Sequence, residues 1–122
     1  SFRYTMDIDE DGNLYAQGYY RGQIKMINKI LKGTGIIFVK FDNDGNLKWW
    51  RNMENPDGIS SGIRVDKDGN VYAWGTFNEY IKISGQEYRS ESGSDMYFIK
   101  FDKDGDLKFV KQFEGNNYLL VT

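Results

Sequence analysis

DKDGNVYAWGTF, residues 66–77, has a near copy in DEDGNLYAQGYY, residues 9–20, with seven of twelve positions identical at an offset of 57. A second pair lies further on: IIFVKFDNDGNLKWW (36–50) and MYFIKFDKDGDLKFV (96–110) share eight of fifteen positions at an offset of 60. The segment between the two matched blocks is therefore three residues longer in the second copy. The chain is two copies of one unit. Each copy carries the same five-residue pattern twice, as DEDGN (9–13) and DNDGN (42–46), then DKDGN (66–70) and DKDGD (102–106).

Within each unit, β-branched and aromatic residues crowd into short runs bounded by Asp, Asn and Gly, which is the signature of strands. These runs predict strands at 2–9, 13–20, 36–42 and 46–53 in the first copy, and at 61–66, 70–77, 96–102 and 106–113 in the second. Two segments, GQIKMINKILKG (22–33) and YIKISGQEYRS (80–90), fall between the second and third strands, and each is expected to add a short hairpin. Ile24, Ile27, Ile30 and Leu31 have near-helical spacing. The strand-like IKISG of the other copy favours strand for both. Every Asp-x-Asp-Gly then falls between two strands as a hairpin turn. Asp at the first position accepts a backbone N–H two residues on, and Gly at the fourth adopts a positive φ.

The alternating aspartates also invite a calcium reading. A helix-loop-helix calcium loop needs oxygen ligands at positions 1, 3 and 5, Gly at 6 and a bidentate Glu at 12. With each Gly at position 6, position 1 becomes Asp7, Lys40, Arg64 or Lys100, and position 12 becomes Gly18, Arg51, Gly75 or Lys111. Three loops put a cation at the first ligand and none supplies the Glu. What survives is a weaker exposed alternative at Asp7, Asp9 and Asp11.

A chain of 122 residues is about one domain. Its 16% aromatic content points to a packed fold. With 16 basic and 18 acidic residues interspersed, the net charge of −2 offers no patch for nucleic acid. The absence of Cys and His removes disulfides, thiolate chemistry, common zinc sites and Ser-His or Cys-His catalysis. No run approaches the roughly 20 apolar residues of a membrane span. A first residue of Ser1 inside strand-like FRYTMDID predicts a piece cut from something longer or stripped of a tag, with no signal peptide before it.

DKDGNVYAWGTF, IKISG and SGSDMYFIKFDKDGDLKF in this order resemble the SBBP group of bacterial β-propeller repeats. Asp66, Gly69, Asn70, Tyr72 and Gly75 match the first half of that pattern, and Asp95, Phe98, Lys100, Asp102 and Gly105 the second. Phe109 stands where Trp is typical, Trp49 restores it in the first copy, and Thr34 to Ile36 replace the usual acidic residue. A period of 57 to 60 suits a four-stranded propeller blade with a loop insertion. The resemblance implies an all-β fold of two four-stranded antiparallel blades, 1–58 and 59–122, the second carrying the start of a following strand. Propellers use about four to eight blades. Two blades close a ring only by homo-oligomerisation or with further blades of a longer chain, and Leu119, Leu120 and Val121 in the tail fit either route. The family also implies a secreted or cell-surface bacterial location.

For ligand contact, Trp74 is the leading candidate because its counterpart is Gln17, so the position tolerates polarity. Tyr19, Tyr20 and Phe77 are possible companions. Trp49, aligned with Phe109, reads as packing. Carboxylates such as Glu54, Asp57, Glu79, Glu87, Glu91 and Asp95 read as loop solvation, because glycoside hydrolysis needs two carboxyls at a defined separation. Lys40 and Lys100 read as cations whose stems lie along packed strands. The expectation is a non-catalytic binding or scaffold module without a cofactor, taking carbohydrate or protein; the rival is a fragment of a glycan-active propeller enzyme.

Overall fold

The computed structural model describes residues 4–26, 28–91 and 93–114. Its ten elements are all strands: β1 Tyr4–Ile8, β2 Leu14–Met26, β3 Lys29–Phe41, β4 Leu47–Glu54, β5 Gly58–Val65, β6 Val71–Phe77, β7 Tyr80–Ile83, β8 Gln86–Arg89, β9 Asp95–Phe101 and β10 Leu107–Phe113. They form two antiparallel sheets, one in the order β1-β2-β3-β4-β7-β8 and one in the order β10-β9-β6-β5. The strand expected after residue 114, with Leu119 to Val121, lies outside the described residues, as does Ile27.

All four Asp-x-Asp-Gly elements form the expected turns. In the first, the Gly12 N–H donates to the Asp9 carbonyl (3.1 Å), and Asp9 Oδ1 accepts from the N–H groups of Asp11 (2.9 Å) and Asn13 (3.0 Å). The same bonds recur around Asp42, Asp66 and Asp102. The fourth-position glycines have φ between +83° and +86°, a region that L side chains avoid. Directly after the turns at 42–46 and 102–106, β4 and β10 each bulge at a lysine, so that Trp49 pairs with Lys40 and Phe109 with Lys100. The bulge moves each aromatic ring onto its lysine's face of the sheet.

The sheets are not the two sets of four strands that the repeat predicts. Segment 22–33 does not fold into a hairpin of its own. It lengthens β2 and β3 to 13 residues each, in unbroken register from Leu14↔Phe41 to Met26↔Lys29. Segment 80–90 does the opposite. After Phe77 the chain leaves the sheet at Asn78, whose N–H donates to the Asp57 carbonyl (2.9 Å) and whose amide donates to the Asp57 carboxylate (3.0 Å). The β7–β8 hairpin then joins the other unit's sheet through the pair Glu54↔Lys82. Burial drives this: Ile81 and Ile83 enter the core, each gaining about 1.5–3 kcal/mol over exposure. The other side of the hairpin is tied to the second sheet, where Gln112 Nε2 donates to the Arg89 carbonyl (2.8 Å).

The core lies between the sheets. Alternation and register place Tyr15, Gln17, Ile36, Phe38, Trp49 and Met53 on the face of the first sheet that meets the second. Opposite them stand Ile63, Val71, Ala73, Phe77, Tyr97, Ile99 and Phe101. Phe101 packs against both Phe38 and Trp49, with ring centroids 4.9 and 5.7 Å apart. The backbones approach most closely where β5 lies against β1 and β2. Between the facing sheets the Tyr97 hydroxyl donates to Gln17 Oε1 (2.7 Å), and Gln17 Nε2 donates to the Gly62 carbonyl (2.9 Å).

Candidate functional site

The turns at 9–13 and 66–70 each close a strand pair at the same end of the sheets, and a groove of about 340 Å³ lies between them. Asp9, Asp11, Asp66 and Asp68 line it, with Lys40 and Lys103 beside them. The Tyr15 hydroxyl donates to Asp9 Oδ2 (2.9 Å), and Lys40 Nζ sits 5.4 Å from the centre of the Tyr15 ring while donating to the Lys103 carbonyl (3.5 Å). The Trp49 indole N–H donates to the same carbonyl (3.0 Å). A depression containing both signs of charge is thereby attached to the packing between the two units.

Hydrogen bonding governs the charge states here. Burial pushes the Asp9 carboxyl up, but donors from Asn13, Tyr15 and Asp11 outweigh it and hold the group below the ordinary carboxylate value. At Asp66 the same opposition of burial and donors from Asn70, Asp68 and Tyr72 ends in the same direction. Asp42 and Asp102 are lowered chiefly by the backbone N–H groups of Asn46 and Asp106. Burial, then the Asp9 carboxylate, push the Tyr15 phenol well above its usual value, so it stays a neutral donor. Carboxylates held low are acceptors, the reverse of the raised value an acid catalyst needs at neutral pH.

The four aromatic candidates are not brought together. Trp74 lies half-buried on the face of the second sheet that points away from the first, in a row with Tyr72, Phe98 and Phe109. Phe77 is fully buried in the core between the sheets. Tyr19 packs against that core from the first sheet, while its neighbour Tyr20 points the other way, into a small cluster with Leu31 and Ile37. The three aspartates of the calcium alternative are likewise separated in role. Asp7 accepts from the Val65 N–H (2.9 Å) and the Ile8 N–H (3.0 Å), and Asp9 is engaged in its turn. Among the described residues no group of three or more His, Cys, Asp or Glu is placed to hold a metal ion.

Tyr15, Lys40 and Lys103 were not singled out together by the sequence. The available signal was the recurrence of the tyrosine–lysine pair as Tyr72 and Lys100, whose ammonium lies 5.6 Å from the Tyr72 ring centre. The chain matches no protein-family model and no curated protein sequence.

Proposed function

We propose that the chain is a pair of β-propeller blades of SBBP type that acts as a non-catalytic binding or scaffold module at the bacterial surface or in secreted form. The observation that carries this reading is the stacking of two copies of one unit, face on face, with a charged groove between corresponding turns. Blade-on-blade stacking of this kind repeats around a ring, and a ring places such grooves at one rim. The depressed aspartates favour ligand contact over acid catalysis. Carbohydrate or protein is the ligand class.

The test pairs a glycan array and a surface-protein binding screen with an unbiased polysaccharide hydrolysis assay. Binding without turnover, weakened in Asp68→Ala, supports the module. Turnover of any polysaccharide overturns it in favour of a glycan-active enzyme.

A further inference from the structure

The two units stack in a head-to-tail manner, so each leaves one face open. Residues Tyr15, Gln17, Ile36 and Phe38 of the first unit form its front, which covers the back of the second. Their counterparts at the repeat offsets are Tyr72, Trp74, Met96 and Phe98, and all lie on the second sheet's open front. The first four are buried, whereas Tyr72, Trp74 and Phe98 are half-exposed and Met96 is 40% exposed. The backs show the converse. Ile63, Val71 and Ile99 are buried on the second sheet; their counterparts Met6, Leu14 and Val39 on the first are not, and Met6 is 49% exposed.

The residue that fills the internal joint shows what would fill the open one. Gln17 is inserted against Tyr97 and the Gly62 carbonyl. At the corresponding place on the back of the first sheet is a groove of about 290 Å³ with a mainly apolar surface, lined by Tyr4, Met6, Ala16, Gln17, Gly18, Ile37 and Val39. Both partners of the polar pair are changed there, and in the same sense. The counterpart of Gln17 is Trp74, and the counterpart of Tyr97 is Ile37. A hydrogen-bonded pair inside the chain is matched by an apolar pair on its open faces, a large side chain facing a groove without polar demand. The turn below agrees: Gly105 is covered by the Trp49 ring, whereas at its counterpart Gly45 no heavy atom lies within 4 Å of a built Cβ, leaving room for Phe109 of another chain.

We infer that the open front of β5-β6-β9-β10 docks on the open back of β1-β2-β3-β4 of a second copy of this chain, with Trp74 seated in the groove against Ile37. The contact is heterologous, so it propagates and closes only as a ring. This inference rests on the blade reading above. It also places Trp74 in an interface between copies and leaves the charged groove as the ligand-facing element.

The test uses Trp74→Asp, which blocks the front, and Met6→Asp, which blocks the back. Both positions lie on faces that the folded single chain leaves accessible, and circular dichroism checks the fold. Light scattering is expected to give a discrete multiple of the chain mass for the unaltered protein and the single-chain mass for each variant. An equimolar mixture of the variants should double that mass, because one intact front and one intact back remain. As a second measurement, Phe109→Cys and Asn43→Cys chains, altered at the counterparts of the touching pair Trp49 and Lys103, are mixed with a thiol cross-linker; with no other cysteine present, a covalent dimer in the mixture beyond that of either variant alone marks the proposed contact. A mixture that stays at single-chain mass, or an absent cross-link, overturns the docking and leaves blade closure to further blades of a longer chain. A polydisperse open series for the unaltered protein keeps the docking and overturns the closed ring.

Discussion

The two repeats use the same insertion point in opposite ways. In the first, residues 22–33 continue β2 and β3 outward, with Gly22 facing Gly33 across the ladder at positive φ. In the second, the chain breaks at Asn78 and sends β7–β8 across to the edge of β4. The difference follows from what lies within reach. The second insertion meets a free strand edge and a space between two sheets, where Ile81 and Ile83 become buried. Ile24 and Met26, aligned with those isoleucines, find only the small cluster around Tyr20, Leu31 and Ile37 and stay half-buried. A similar local sequence has two outcomes because its neighbours differ.

Paired substitutions at corresponding positions can break this asymmetry. The largest effect is expected at Phe38, fully buried between the sheets, where Phe38→Ala should cost about 3–5 kcal/mol in a denaturant titration. Its half-exposed counterpart in Phe98→Ala should cost less than half as much in the single chain. Equal costs would mean that the faces are not covered unequally.

Next come the turn glycines. Gly105→Ala meets the Trp49 ring at 2.6 Å as well as an unfavourable φ, for a combined cost of about 2–5 kcal/mol. In the single chain, Gly45→Ala, at nearly the same φ but with open space, should carry only the backbone part, about 1–2 kcal/mol. Melting temperatures of the two variants check the ordering.

The smallest effect per site is that of acid. Asp9, Asp42, Asp66 and Asp102 titrate below the ordinary value of 3.8, so the stability each lends is present above that pH and is lost as pH falls through its folded value. Thermal melts across that range should decline, and Asp42→Asn should flatten the decline slightly. A decline beginning near neutrality would point to other groups.

The turns were legible in the sequence because their chemistry is local: one carboxylate and one glycine within four residues determine the bend. The strands of the second unit were legible for the same reason, bounded by those turns. The destination of β7–β8 was not, since it depends on an edge and a space made by residues far away in the chain. The scattering of the aromatic candidates is legible in the sequence. Tyr19 and Tyr20 are adjacent, and Trp74 and Phe77 are three apart in one strand, so alternation alone puts each pair on opposite faces. The Gln17–Tyr97 bond, spanning the two units, required the register of both sheets.

The loan of β7–β8 also orders events during synthesis. The edge of β4 is translated before its partner, so the first unit waits through residues 55–79 for the hairpin that pairs with it at Glu54↔Lys82. At roughly 5–20 residues per second, that interval is on the order of seconds. Through it, an exposed strand edge persists on the nascent chain, the kind of template that captures a neighbouring polypeptide. Slow codons in that stretch would lengthen the exposure, and crowding of nascent chains would turn it into misassembly.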